Sequence, residues 1–162
     1  MKLILIGFMG SGKTTVGCLL AQKLGLGVIE MDDLIIKKEG KNINKIFAED
    51  GEARFRELES QIAKDLVKKE NVVISTGGGV VIKAENIENL KINGKTIFLR
   101  TSFLEIKKRL TNIEDRPLFK DKISAEKLFN SRQKLYEKNA DLIVDTDGKS
   151  VEEVTYEIIS QN

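Results

Sequence analysis

The chain has 162 residues, of which 41% are hydrophobic and 32% charged, and it contains one proline. This size and composition predict one compact domain and exclude a largely disordered chain. The 27 basic and 25 acidic residues leave a net charge of +2, which gives no reason to expect nucleic acid as a partner.

Several chemistries are excluded by residues that the sequence lacks. There is no histidine, which rules out imidazole catalysis and histidine-containing zinc sites. The single cysteine, Cys18, has no disulfide partner in the chain, and we expect it to be a small buried residue of the first helix. Without an apolar run of about 18 residues or a secretion signal, we expect a cytoplasmic protein that does not bind membranes.

The first predicted elements are a strand at Leu3 to Ile6 and a helix that ends near Gly25. Between them, Gly7 to Thr14 fits the phosphate-binding pattern G-x-x-x-x-G-K-[ST]. Its glycines would bring backbone N–H groups close to an anion, and the helix would point the positive end of its dipole there. Lys13 would reach the β- and γ-phosphates and Thr14 would contact Mg²⁺, whereas the alternative is an ordinary strand-to-helix turn.

The following segment carries an acidic pair, Glu30 and Asp32, at the end of a strand predicted at Val28 to Met31. Because side chains alternate along an extended chain, both carboxylates would point to the same side. One would help hold magnesium while the other meets an acceptor hydroxyl. The alternative is that they cap the N-terminus of the next helix.

Three helices are predicted next, from about Asp33 to Lys38 with a stop at Gly40, around Ile43 to Phe47, and from Phe55 to Val67. On the last of these, Arg56 and Glu59 are three residues apart and therefore neighbours. They are either an exposed ion pair worth about 0.2–0.5 kcal/mol, or Arg56 binds a substrate carboxylate while Glu59 fixes its orientation.

The second half of the chain continues the alternation of strands and helices. The predicted elements are a strand at Val72 to Ile74, a helix at Ala84 to Leu90, a strand at Thr96 to Leu99, a helix opened by Ser102 and Glu105 at capping-box spacing, a helix from about Ser124 to Asn139, a strand at Leu142 to Val144 and a last helix opened by Ser150 and Glu153. Five strands separated by helices predict an α/β fold with a parallel sheet covered on both faces. Ligands of such sheets bind beyond the carboxyl ends of the strands.

Two further features lie in connecting segments. Each glycine of the run Gly77, Gly78 and Gly79 loses more conformational freedom on folding than alanine would, which destabilises the folded state by about 0.5–1 kcal/mol per residue. This cost indicates either that something approaches their backbone closely or that they form a plain turn. Arg116 lies in an interval without periodicity, where it is either the arginine of a lid over the phosphates or a solvated loop residue.

The order and spacing of these features resemble shikimate kinases over essentially the whole chain. The segments that carry the resemblance are Gly7 to Thr14, the acidic pair, Gly51 to Glu59, Ser75 to Gly79, Asp115 to Leu118, and Arg132 shortly before Leu135-Tyr136. Many families share the phosphate loop, whereas the Phe-Arg-x-x-Glu, triple-glycine and Arg-Pro-Leu segments together are far more specific.

The resemblance implies one P-loop kinase domain over residues 1–162, a three-layer αβα fold around a five-stranded parallel sheet. It implies an acceptor-binding helical segment at about 32–60 and a lid at about 111–123. The implied reaction transfers the γ-phosphoryl group of ATP to the 3-hydroxyl of shikimate with Mg²⁺ as cofactor, in the pathway to aromatic amino acids. We expect a monomer.

Residue roles follow from the same resemblance. Asp32 would bind shikimate and act as the base, Arg56 and Arg132 would hold its carboxylate, and Gly77, Gly78 and Gly79 would line its ring. The nucleotide would be bound by Gly10, Ser11, Gly12, Lys13, Thr14, Thr15, Arg116 and Arg109, the last stacking on adenine. Thr14, Glu30 and Asp32 would hold the metal, and Lys13 and Arg116 would join Asp32 in catalysis. The family usually has aspartate at position 30, and glutamate reaches one methylene further.

Two rival interpretations remain open. One is another small-molecule kinase of this architecture, such as a gluconate kinase or a nucleoside monophosphate kinase. The other is a nucleotide-dependent switch without acceptor chemistry. The triple glycine and paired arginines favour a small hydroxylated acid, and the combination of Asp32, Arg56, Arg116 and Arg132 argues against a switch.

Overall fold

A computed structural model of the chain describes residues 1–110 and 122–162. Its strands are β1 (Lys2–Ile6), β2 (Gly27–Glu30), β3 (Val72–Ser75), β4 (Lys95–Arg100) and β5 (Leu142–Asp145). Its helices are α1 (Lys13–Leu24), α2 (Met31–Glu39), α3 (Ile43–Glu49), α4 (Gly51–Asp65), α5 (Ala84–Lys91), α6 (Phe103–Arg109), α7 (Lys122–Asn139) and α8 (Val151–Ser160). A short 3₁₀ helix, which the sequence did not predict, covers Val80–Ile82.

All five strands pair in parallel, in the order β2-β3-β1-β4-β5, which confirms the predicted parallel sheet. The central strand β1 pairs with β3 on one side and with β4 on the other. All five β1 residues are buried, which explains the unbroken apolar run from Leu3 to Ile6. The strand β2 lies at an edge, and Val28 is exposed there.

Side chains of β1 alternate between two hydrophobic clusters, one on each face of the sheet. Leu3 and Leu5 pack with Val16 and Leu20 of α1 and with Val154 of α8. On the opposite face, Ile4 and Ile6 join a larger cluster with residues of α2, α4, α5 and α7. The three-layer arrangement is therefore confirmed. In residues 1–110 and 122–162, no helix combines the length and the apolar character that a membrane span needs.

The prediction that Cys18 is buried is wrong. The buried face of α1 is formed by Val16, Gly17, Leu20 and Ala21, and Cys18 lies on the exposed side. A Cβ at Gly17 would lie 3.3 Å from Leu5 Cδ1, so the helix approaches the sheet closely at that position. The helix period alone did not show which residues of this largely apolar helix face the sheet.

One of the two predicted capping boxes is complete. At the start of α8, Glu153 N–H donates to Ser150 Oγ and Ser150 N–H donates to the Glu153 carboxylate, at 3.1 and 2.7 Å. At the start of α6, Ser102 accepts from Glu105 N–H, but Ser102 N–H donates to Asp147. The Glu105 carboxylate is instead bound to Arg109, so this box is half formed.

Asp141 joins three elements at the amino end of the sheet. One of its oxygens accepts from Thr96 N–H and Thr96 Oγ1, both at 2.8 Å, and the other accepts from Lys91 Nζ at 2.6 Å. Burial raises the pKa of Asp141, but the hydrogen bonds from Lys91 and Thr96 outweigh it and hold the pKa below its usual value. The ionised carboxylate therefore stabilises the junction of α5, β4 and β5.

We predict that Asp141→Ala lowers the free energy of unfolding by about 1 kcal/mol at pH 7, because the N–H and the hydroxyl of Thr96 lose an ionised partner. The contact with Lys91 adds little to this loss, since it is partly exposed and solvent screens it. Urea denaturation measures the loss, and Asp65→Ala, which removes an exposed ion pair with Lys38, is the control with little effect. Because the folded pKa is depressed, the Asp141 contribution is complete above about pH 4 and is lost below it. An equal loss in both variants would contradict this assignment.

Candidate active site

A pocket of about 370 Å³ lies at the carboxyl ends of β1, β2 and β3. Its lining includes residues of the phosphate loop and α1, the acidic pair, the end of β3, two glycines and the end of α6: Met9, Gly10, Gly12, Lys13, Thr14, Thr15, Glu30, Asp32, Ser75, Thr76, Gly77, Gly78, Arg109 and Leu110. The phosphate loop, the acidic pair and Thr76 to Gly78 therefore meet beyond the strand ends, where the ligands of parallel sheets bind.

The phosphate loop has the backbone that its glycines predicted. Gly7, Gly10 and Gly12 have φ angles of +149°, +78° and +93°, in a region that other residues rarely adopt. A Cβ on Gly7 would also lie 2.8 Å from the Leu99 carbonyl oxygen. The loop therefore requires glycine both for its turns and for its packing against β4.

Lys13 begins α1 and is largely buried beneath the loop. Its Nζ donates to the carbonyl oxygens of Gly7 and Phe8 at 2.8 and 3.0 Å. The helix N-terminus faces the same pocket, with Thr14 and Thr15 in its first turn. A cation and a helix dipole thus favour negative charge in one space.

Both residues of the acidic pair line the pocket, but the secondary structure that carries them differs from the prediction. Glu30 ends β2, but α2 begins at Met31, so Asp32 lies in a helical turn and not on an extended chain. The capping alternative is also wrong for Glu30, which makes no side-chain cap and instead lies near the hydroxyls of Ser75 and Thr14. Burial raises the pKa of Glu30, and these two hydroxyls oppose the rise.

The donors around Glu30 fit a hard divalent cation. Glu30 Oε1 is buried and has no hydrogen-bond partner among the described residues, and the Thr14 side chain contacts the same carboxylate. Asp32 lines the same pocket. Residues 1–110 and 122–162 contain no group of three or more acidic or cysteine side chains that would hold a metal by themselves. A magnesium ion would therefore share oxygen ligands between this carboxylate, a hydroxyl and the phosphates.

Arg56 and Glu59 are buried, with residue exposures of 8% and 1%. Arg56 Nη1 donates to Glu59 Oε2 at 3.0 Å, and Nη2 donates to Glu52 Oε1 at 3.2 Å. The alternative of an exposed ion pair is therefore wrong. Burial raises the pKa of Glu59, and the charge of Arg56 opposes the rise. Glu59 fixes the orientation of Arg56, as the second interpretation required.

The three successive glycines are required because other groups approach their backbone closely, and not because of their backbone angles. None of the three residues has a positive φ. A Cβ on Gly79 would overlap the Arg56 guanidinium, and one on Gly77 would lie 3.0 Å from Glu59 Oε1 and 3.2 Å from Asp32 Oδ1. The interpretation that something approaches the glycine backbone is confirmed, and the approaching groups include the protein's own charged side chains.

Arg132 reaches the other side of the glycine segment from α7. It is 3% exposed, its guanidinium lies over the Phe8 ring at 5.9 Å, and its Nε has no hydrogen-bond partner among the described residues. Burial lowers its pKa. Two buried guanidinium groups thus flank Gly77 to Gly79, and one buried carboxylate, Glu59, lies among them.

Arg109 lies between the main pocket and a second one of about 290 Å³. Its guanidinium donates to Glu105, to the Ser11 carbonyl oxygen and to Thr146, at 3.2 to 3.4 Å. The second pocket is lined by Ser11, Gly12, Thr15, Val16, Glu105, Arg109, Thr146, Lys149, Ser150, Val151 and Val154. It extends the phosphate site along α1 toward the start of α8.

Some site residues received no role from the sequence. Ser75 and Tyr136 stand inside segments that carried the resemblance, so their position was a usable signal, whereas nothing in a single sequence marks Thr146. Arg116 and nearly all of the predicted lid lie outside the described residues, and the described chain resumes at Lys122 with α7.

Comparisons with known proteins agree with this site. The family model for shikimate kinase matches residues 9–162. The shikimate kinase of Caldicellulosiruptor bescii is 46% identical over 98% of this chain and 94% of its own length. A solved structure of shikimate kinase from Acinetobacter baumannii in complex with shikimate has a TM-score of 0.94 and 31% identity, covering 99% of this chain and 91% of that one. The shikimate kinase structure from Aquifex aeolicus has a TM-score of 0.84 and 42% identity, with coverages of 99% and 95%.

These matches span nearly the whole chain and include the segments that build the pocket: the phosphate loop from Met9 onward, the acidic pair, the Arg56 helix and the triple glycine. The matches indicate a kinase, and they exclude the interpretation as a nucleotide-dependent switch without acceptor chemistry. The chain belongs to the shikimate kinase family.

Proposed function

We propose that this kinase transfers the γ-phosphoryl group of ATP to the 3-hydroxyl of shikimate, giving ADP and shikimate 3-phosphate on the route to aromatic amino acids. The observation that carries the proposal is the pair of buried guanidinium groups, Arg56 and Arg132, beside a phosphate loop. Such groups suit a carboxylate, because an arginine can donate two parallel hydrogen bonds to it. The relative from Acinetobacter baumannii, whose structure contains shikimate, supports this choice of acceptor.

In this proposal Arg56 and Arg132 bind the acceptor carboxylate, and Gly77, Gly78 and Gly79 line the ring. The buried Arg56–Glu59 pair supports a preformed site, since Arg56 is already oriented before the acceptor arrives. The helical segment at about 32–60, which spans α2, α3 and the start of α4, forms the acceptor-binding part of a single domain.

Asp32 is the proposed base for phosphoryl transfer. The acceptor oxygen forms a bond to the γ-phosphorus while the bond from that phosphorus to the β–γ bridging oxygen breaks, and the hydroxyl proton passes to the Asp32 carboxylate. Lys13 neutralises charge on the transferring group. The proposed lid arginine, Arg116, would add a second positive charge, a role that rests on the resemblance alone.

Gly10, Ser11, Gly12, Lys13, Thr14 and Thr15 bind the phosphates in this proposal. Thr14, Glu30 and Asp32 hold Mg²⁺, which when bound neutralises charge on the β- and γ-phosphate oxygens. Arg109 stacks on adenine, and its place beside the second pocket supports a base site there. A monomeric, cytoplasmic enzyme without nucleic acid or membrane partners stays a prediction.

We predict that Asp32→Asn lowers kcat at least about 10²-fold and leaves ATP affinity nearly unchanged, because the amide cannot accept the hydroxyl proton. ADP release with shikimate measures turnover, and calorimetry measures nucleotide binding. Asp33→Asn, the neighbouring exposed carboxylate, is the control and should keep near-normal turnover. Near-normal turnover in Asp32→Asn would refute its role as base.

We predict that Arg56→Ala raises the KM for shikimate about 10- to 100-fold and changes the KM for ATP little, because a charge-assisted contact to the carboxylate is lost. Steady-state kinetics with each substrate varied in turn measure both constants. Arg54→Ala removes an arginine of the same helix that pairs with Glu39 and Glu57, and it should leave both KM values unchanged. Equal rises in both KM values for Arg56→Ala would indicate a structural role.

We predict that Glu30→Gln raises the Mg²⁺ concentration needed for half-maximal turnover several-fold, since a neutral amide is a weaker ligand of a hard cation. Turnover is titrated with Mg²⁺ at saturating ATP and shikimate. Glu88→Gln, an exposed carboxylate on α5, is the matched control. An unchanged Mg²⁺ requirement in Glu30→Gln would remove Glu30 from the metal site.

A further inference from the structure

Tyr136 is a completely buried residue of α7 whose hydroxyl reaches the glycine segment. Its ring stacks on Phe98 at 5.1 Å, and its hydroxyl donates a hydrogen bond to the Gly78 carbonyl oxygen. The bond joins residues 58 positions apart in the chain. It therefore ties α7 to the segment that lines the acceptor site.

The same hydroxyl group interacts with Arg132, which lies one helical turn earlier on α7. The Tyr136 proton goes to the Gly78 carbonyl oxygen, and Arg132 Nη1 lies beside the same residue, 3.6 Å from the position that a Cβ on Gly78 would take. Burial raises the pKa of Tyr136, so the phenol keeps that proton. Arg132 and a neutral Tyr136 therefore meet at the backbone of Gly78.

The two arginines of the site are therefore held in different ways. Arg56 is paired with the carboxylates of Glu59 and Glu52. Among the described residues Arg132 has no carboxylate within ion-pair distance, and its contacts are the Phe8 ring and the Tyr136 phenol. Glu59 acts on the Arg132 charge only from beyond ion-pair distance, so this charge is less compensated than that of Arg56, which favours an incoming anion at Arg132.

We propose that Tyr136 is a positioning residue for acceptor binding, which holds Gly78 and the Arg132 guanidinium beside it in place without neutralising the charge of Arg132. The proposal rests on the proposed function for the identity of the acceptor. Tyr136 acts through Arg132 and does not contact the acceptor. A tyrosine that served the core alone would affect stability and would not discriminate between the two substrates.

The test is Tyr136→Phe, which removes the hydroxyl and keeps the ring that stacks on Phe98. We expect the KM for shikimate to rise about tenfold, with kcat and the KM for ATP within about twofold of wild type, because Arg132 loses its fixed orientation. Tyr156→Phe makes the same change at a residue that is 72% exposed on α8, and its kinetics should not change. An unchanged shikimate KM, or equal rises in both KM values, would overturn the proposal.

A double-mutant cycle tests the route through Arg132. In an Arg132→Ala background, Tyr136→Phe should change the shikimate KM by less than about twofold, since the group that it orients is already missing. Fully additive effects would show that Tyr136 acts independently of Arg132 and would contradict the proposal.

A measurement without acceptor separates this proposal from the proposed function. In the ligand-free protein, Tyr136→Phe should increase hydrogen–deuterium exchange in a peptide spanning residues 76–82 by several-fold, while Tyr156→Phe should not. Failure of the wild-type protein to phosphorylate shikimate would refute the proposed acceptor and leave this expectation intact. Unchanged exchange in Tyr136→Phe would refute the positioning role whatever the acceptor is.

Discussion

The site depends on a stretch of backbone that carries no side chains. Gly77 to Gly79 follow β3, and charged groups from three helices converge on them: Asp32 from α2, Arg56 from α4 and Arg132 from α7. A single methyl group at Gly79 would occupy the space of the Arg56 guanidinium. Because none of the three glycines has a positive φ, the requirement for glycine here comes from volume and not from conformation. The missing side chains leave the space in which these charged groups converge.

Burial of charge sets the second constraint. A buried cation is stable only with compensating partners, and the structure supplies them in three different ways. Lys13 is held by the backbone carbonyls of Gly7 and Phe8, and Arg56 by carboxylates. Arg132 is held by an aromatic face and a phenol. Arg132 thus differs from Arg56 in having no carboxylate within ion-pair distance among the described residues, which suits a kinase with an acidic acceptor.

Much of the secondary structure could be predicted because its signals are local. Hydrophobic periodicity located five strands and eight helices to within a few residues, and the phosphate loop was recognisable because its glycines and Lys13 stand at fixed spacing. The predictions were wrong where contacts with a neighbouring element determine the burial or the hydrogen bonds of a residue. Cys18 is exposed because the sheet packs on the face of α1 that carries Gly17, and the Ser102 box is incomplete because Arg109 attracts Glu105 and Asp147 takes its place.

The sequence alone determined an α/β fold with a phosphate loop, an acidic pair and two candidate acceptor arginines, since residue type and spacing carry that information. Only the tertiary structure decided that Asp32 lies on a helical turn, that Arg56 and Glu59 are buried together, and that the Tyr136 hydroxyl donates to the Gly78 carbonyl oxygen. The physical reason is that burial and pairing depend on which helices pack over the carboxyl end of the sheet. Contacts between residues 58 positions apart leave no local pattern in the chain.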